Sequence, residues 1–212
     1  MMEASPQYLL FSCLLICCIT TEVSAVHLTV SPSRSQFFEF ESVTLICEDE
    51  NRSDGWTVRS NTTRGVGKRC GDEWGEAAGS TCNITLFTFD TGLYWCESGS
   101  SNSSCSSSSS CSSSSCSIQL SVSGSVILQS PVLPVMEGDD VTLSCRARNP
   151  THNLPAAFYK DGSFIGDGSA GSMTLLHVSS SDEGLYKCSI SGSGESPSSR
   201  VSVKASNSTV SD

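Results

Sequence analysis

Two patterns of apolar and polar positions each occur twice along the chain. Val43-Thr44-Leu45-Ile46-Cys47 and Val141-Thr142-Leu143-Ser144-Cys145 place apolar side chains at alternate positions and end in a cysteine. Successive strand residues point to opposite faces, so each run predicts a half-buried strand whose last inward residue is the cysteine. Asp90-Thr91-Gly92-Leu93-Tyr94-Trp95-Cys96 and Asp182-Glu183-Gly184-Leu185-Tyr186-Lys187-Cys188 form the second pair. Between these anchors lie further short alternating runs. Val26 to Val30 stops at Ser31-Pro32, as an edge strand does, and Phe38 and Phe40 continue into the inward face of Val43, Leu45 and Cys47. Ile84 and Leu86 mark one later strand, Ile118, Leu120 and Val122 another. Val126 to Gln129 and Val132 to Met136 read as a first strand split by Pro131. Met173, Leu175 and Val178, then Val201 and Val203, complete the pattern.

A tyrosine two residues before a cysteine, with Asp-x-Gly ahead of it, resembles the tyrosine corner of an immunoglobulin-type sandwich. Two copies imply two domains. The fold class expected is all-β: two tandem immunoglobulin-like sandwiches of constant or C2 type after a signal peptide. The chain of 212 residues has room for two domains of about 100 residues. The division is a signal peptide over 1–25, domain one over 26–122 and domain two over 123–206, with a polar tail over 207–212. The resemblance implies cross-sheet disulfides Cys47–Cys96 and Cys145–Cys188. It also places Trp56 against the first disulfide and Phe158 against the second. Both cysteine intervals are too short for the two extra strands of a variable-type domain, so about seven strands are expected in each. Almost no linker separates Val122 from Val126, which predicts restricted motion between sandwiches set end to end.

The first 25 residues contain a short apolar run, Tyr8 to Ile19, and small residues at Val23-Ser24-Ala25. The run is too short to span a bilayer and reads as a secretory signal cleaved after Ala25. Twelve cysteines point to an oxidising compartment, hence an extracellular, secreted protein, or the outer side of the plasma membrane if a longer form carries a span. Cys13, Cys17 and Cys18 leave with the signal. Arg64 to Ser80 is rich in glycine and charge and reads as surface loop; Cys70–Cys82 is the simplest pairing across it, with pairing to later cysteines as the alternative. Residues 98–117 are serine interrupted by Asn102, Cys105, Cys111 and Cys116. The stretch has no apolar pattern and reads as a loop inserted between the last two strands of domain one. The remaining cysteines are odd in number, so one of Cys105, Cys111 and Cys116 is a candidate for linking two chains; passive expansion of a serine repeat is the other reading.

The net charge of −10 comes without a basic patch, which argues against nucleic acid or an anionic membrane as partner. Asn51, Asn61, Asn83, Asn102 and Asn207 are glycosylation acceptors by their Asn-x-Ser/Thr context. The body of domain two has none and offers the barer surface to a partner. Catalysis finds no support. Gly166 to Gly171 matches a dinucleotide-binding spacing but sits in a hairpin region, not between a strand and a helix. His27, His152 and His177 recur in no triad pattern, with His177 reading as a strand residue beyond Leu175. The cysteine spacings of the serine loop match no zinc site. No enzyme activity, cofactor or metal is expected.

Val141 to Arg146, Phe158-Tyr159-Lys160-Asp161-Gly162, Asp182 to Cys188 and the junction from Val126 to Asp139 resemble the second domain of Fc receptors and Fc receptor-like proteins. The resemblance implies a non-enzymatic immune receptor ectodomain that binds an immunoglobulin Fc region, or a related ligand, through domain two. In that family the contact loops lie at the end of domain two near the junction. Carried over, they are Asn149 to Pro155, the turn after Asp161, and Ser191 to Ser196. The implied contact residues are His152, Asn153, Leu154, Asp161, Gly162, Ser193 and Glu195. The alternative is an adhesion or soluble decoy module that recognises another cell-surface glycoprotein or itself.

Overall fold

The computed structural model describes residues 26–49, 55–98, 116–131, 134–149 and 155–205. The leader, most of the serine-rich insert with Cys105 and Cys111, the acceptors Asn51, Asn102 and Asn207, and His152, Asn153 and Leu154 lie outside them.

The first sandwich contains β1 (Val26–Ser31), β2 (Gln36–Phe38), β3 (Ser42–Asp49), β4 (Trp56–Thr62), β5 (Gly65–Arg69), β6 (Glu76–Ala78), β7 (Thr81–Thr85), β8 (Gly92–Ser98) and β9 (Ser117–Ser123). One sheet runs β1-β3-β7-β6 and the other β2-β9-β8-β4-β5. The second sandwich contains β10 (Val126–Gln129), β11 (Val135–Met136), β12 (Val141–Ala147), β13 (Ala156–Lys160), β14 (Ser163–Gly168), β15 (Ser172–Leu175), β16 (Gly184–Ile190), β17 (Gly194–Glu195), β18 (Ser199–Val201) and β19 (Val203–Lys204). There β10-β12-β15 faces β14-β13-β16-β17, with β18 also on β16 and β11 paired to β19. Prolines split both first strands. Beyond the cis Ser31–Pro32 bond the chain leaves β3 and pairs in parallel with β9. Beyond Pro131 it leaves β12 and pairs in parallel with β19. The short β6 gives the first sandwich one strand more than the seven expected.

Each sandwich has its own core. Val43, Leu45 and Cys47 from β3 meet Tyr94 and Cys96 from β8 and Leu120 from β9. Val141, Leu143 and Cys145 meet Phe158, Tyr186 and Cys188 in the second. Removing one such aliphatic or aromatic side chain from water stabilises the fold by about 1.5–3 kcal/mol. Cys47–Cys96 and Cys145–Cys188 bridge the sheets. The phenol hydroxyls of Tyr94 and Tyr186 donate to the carbonyls of Asp90 and Asp182 at 2.7 and 2.8 Å. Burial pushes both phenol pKa values up, Tyr186 to about 12 with Asp182 and Asp161 adding to the shift.

Four sequence expectations are corrected. Trp56 packs against the first core from its edge but is not its buried tryptophan. The pairing of β4 with β8 sets Val58 opposite Cys96, and Trp56 sits half-buried at the start of β4 with its indole N–H donating to Asp49 at 3.1 Å. Trp74, in a stretch read as surface loop, is buried instead and packs edge-on to Tyr94 at 5.5 Å. The Cys70–Cys82 bond draws this segment over the core, and Gly75 lies so close that a Cβ there would meet both sulfurs at 3.0 Å or less. Phe37, not Phe38 or Phe40, is the inward phenylalanine; Phe40 takes φ 70 between β2 and β3 and breaks the alternation. His177 is a turn residue at φ 47, not a strand residue.

The fourth correction concerns the domains themselves. Their contact is lateral, not end to end. Gln36, 1% exposed, donates its amide N–H to the Pro197 carbonyl at 2.8 Å and accepts from the Leu128 N–H at 2.7 Å. Leu128 pairs with Cys145, at mid-height of the second sandwich, so the contact reaches well past the linker. The Ser35 and Ser199 hydroxyls meet at 3.0 Å. Ile127 alternates away from the second core yet is fully buried, because the first domain covers that face of β10.

Candidate binding surface at the domain junction

The order of strands decides which candidate contact residues stand together. Antiparallel pairing of β13 with β16 sets Ala156 opposite Ile190 and Lys160 opposite Tyr186. The chain before Ala156 and the chain after Ile190 therefore share one end of the domain. That end also holds Ala147, opposite Val126 at the junction. Ser193, with its N–H donating to the Ile190 carbonyl at 3.0 Å, and Glu195, opposite Ser189, belong there. Asp161 and Gly162 do not. They turn the chain at the far end of β13, where the Asp161 carboxylate accepts the Leu185 N–H at 2.9 Å. Five strand residues separate them from the junction end, about 16 Å at 3.3 Å per residue. The single cluster expected from sequence is thus two groups at opposite ends, because a hairpin turn must reverse the strand at the end it has reached.

At the junction end the Arg148 N–H donates to the Ser125 carbonyl at 2.8 Å, which ties the start of the loop after β12 to the linker. Glu195 is held by Lys187, whose ammonium also lies 5.5 Å from the Tyr159 ring centre. None of the described residues of this end is aromatic. Exposed aromatics lie elsewhere. Phe164 on the edge strand β14 is edge-on to Tyr159 at 5.9 Å, and Phe40 and Phe89 stand on domain one with the half-buried Phe87 between them, Phe40 lying under Arg148.

Of the other site residues, Asn83 is exposed on β7 and accepts from the Thr44 hydroxyl at 2.8 Å. Asn61 is half-buried, with its side-chain oxygen accepting the Gly67 N–H at 2.6 Å. Cys116 is 3% exposed and lies within the first core at the entry of β9. Among the described residues no group of histidine, cysteine and carboxylate side chains could hold a metal ion, and no helix is long and apolar enough to cross a membrane. The Gly166 to Gly171 stretch ends β14 and forms a single 3-10 turn, without the helix that phosphate binding needs.

Residues 124–205 match the immunoglobulin domain family. Fc receptor-like A of Rattus norvegicus is 37% identical over 65 residues, which cover 30% of this chain and 19% of the relative. Fc receptor-like A of Homo sapiens is 38% identical over 65 residues, covering 30% and 18%. Residues 124–205 therefore carry an immunoglobulin domain, and a 65-residue stretch of the chain is similar to Fc receptor-like A. The match spans about a fifth of the length of these curated relatives. Among solved structures, the second Ig-C2 domain of human Fc-receptor like A is 25% identical, covering 38% of this chain and 96% of that one, with a TM-score of 0.32. Murine CEACAM1b is 16% identical over 85% of this chain and 100% of that one, with a TM-score of 0.33. The immunoglobulin-domain match covers the half of the chain that carries Phe158 and Tyr186.

Proposed function

We propose that this protein is a non-enzymatic receptor ectodomain of the immune system that binds an immunoglobulin Fc region, or a closely related protein, through the junction end of its second domain. The observation that carries the reading is the similarity of a 65-residue stretch of the chain to Fc receptor-like A. An extracellular setting suits the three disulfides, which persist in oxidising compartments. Glycans at Asn83 and Asn61 would leave the second domain uncovered. Among the described residues contact falls to Ser193 and Glu195; Asp161 and Gly162, at the opposite end, lie outside it, and His152, Asn153 and Leu154 remain candidates from sequence.

The test is surface plasmon resonance of the purified chain over immobilised immunoglobulins of each class. Saturable binding to one class, weakened by a Ser193→Arg substitution and indifferent to Gly162→Ala, supports the reading. No binding to any class by protein with intact disulfides overturns it.

A further inference from the structure

Domain one presents a row of three phenylalanines beside the junction. Phe40 meets Phe87 edge-on at 5.4 Å, and Phe87 stacks on Phe89 at 5.1 Å. Phe40 is 60% exposed and Phe89 41% exposed. A guanidinium stands at each end of the row. Arg64 lies 4.1 Å from the Phe89 ring centre and is neutralised by the buried Asp90, its Nε donating at 2.6 Å. Arg148 reaches across from domain two to lie 5.3 Å from the Phe40 ring centre. No carboxylate among the described residues pairs with Arg148. A left-handed backbone is unfavourable for any residue with a Cβ, and most of all for a bulky one, so Phe40 at φ 70 is a position where glycine would fit with less strain. Yet its ring gains only an edge contact and a cation above it. Apolar rings in water, rimmed by a cation without its anion, are the makings of a protein contact, where aromatic and arginine side chains supply most of the binding energy.

We propose that Phe40, Phe87, Phe89 and Arg148 form a docking surface for a protein segment that presents a carboxylate beside an apolar side chain. The carboxylate pairs with Arg148, as the open guanidinium requires, and the apolar side chain covers Phe40 and Phe89. The surface is composite. It exists only while Gln36 holds β2 against β10, because that contact brings Arg148 of one domain over Phe40 of the other. It adjoins the junction end used by the Fc reading through Arg148, but Phe40 and Phe89 of domain one belong to this surface alone, so the two readings fail separately.

Nuclear magnetic resonance tests this on the full chain, with the acetylated, amidated peptide Gly-Leu-Glu-Leu-Gly as probe and its Gln and Lys counterparts as controls. Expected are saturable shifts of the Phe40, Phe89 and Arg148 signals. The Gln peptide should bind at least tenfold more weakly and the Lys peptide should not bind. Arg148→Glu should abolish the response. Phe40→Gly should weaken it at least tenfold while the fold, read from the Tyr94 and Tyr186 ring signals, is kept or strengthened. Equal shifts with all three peptides, or none at these residues, overturn the proposal. So does self-association by sedimentation that disappears in Arg148→Glu, since a second copy of the chain would then be the occupant.

Discussion

The side chain of Gln36 accepts the backbone N–H of Leu128 at 2.7 Å, and no water reaches the bond. With its donation to the Pro197 carbonyl, this one amide satisfies both a donor and an acceptor of the other domain. A primary amide carries a donor and an acceptor on two separate atoms of one planar head, so it can serve two backbone groups at once. The exposed Gly124-Ser125 linker leaves the joint to be held by such contacts.

Gln36→Ala should therefore cost more than a surface substitution. It leaves the buried Leu128 N–H unpaired, at about 1–3 kcal/mol, while the Pro197 carbonyl keeps the Ser196 hydroxyl as its second donor. Faster hydrogen exchange at the Leu128 amide, together with an increased radius of gyration by small-angle scattering, is the expected outcome. Gln36→Glu keeps the acceptor for Leu128 but turns a carboxylate toward the Pro197 carbonyl, so it should also loosen the joint.

The two tryptophans should respond in the order opposite to that suggested by their sequence context. Trp74→Ala opens a cavity beside Tyr94 and should destabilise the first domain by about 3–5 kcal/mol. Trp56→Ala, at the edge of the core, should cost about 1 kcal/mol, mainly the lost hydrogen bond to Asp49. Urea denaturation of each variant checks the order.

Replacing Cys70 and Cys82 together by serine removes a bridge of sequence separation 12. Loop-closure entropy sets the loss at about 2–3 kcal/mol. Trp74 is buried beside this bond, so its fluorescence should shift to the red as the segment lifts from the core, while the second domain keeps its thermal midpoint.

Alkaline pH should weaken the second domain while its Cys145–Cys188 bond stays intact. The Tyr186 pKa is raised from 10.0 to about 12, so the phenol binds its proton more tightly in the folded state than in the unfolded one. Its contribution is complete below pH 10 and is lost as pH rises toward 12. Tyr186→Phe keeps the ring, loses the bond to Asp182, and should show a lower stability at neutral pH with a flatter decline between pH 10 and 12. Denaturation midpoints measured across that range give the comparison.

Local pattern alone specified the cores. Cys47, Cys96, Cys145 and Cys188, each beside alternating apolar residues, and the tyrosines Tyr94 and Tyr186 are legible because strand alternation and a corner hydrogen bond depend on neighbours a few residues away. The tertiary structure decided what depends on distant partners. Trp74 is buried because a disulfide closes its loop over the core, and Phe40 is exposed because its backbone turns left-handed between strands of different sheets. Asp161 parts from Ser193 because β13 carries the chain to the other end of the sheet. Gln36 reads in the sequence as one polar residue before two phenylalanines. Only the lateral packing of two domains, between groups 92 and 161 positions apart, makes it the residue that holds them together.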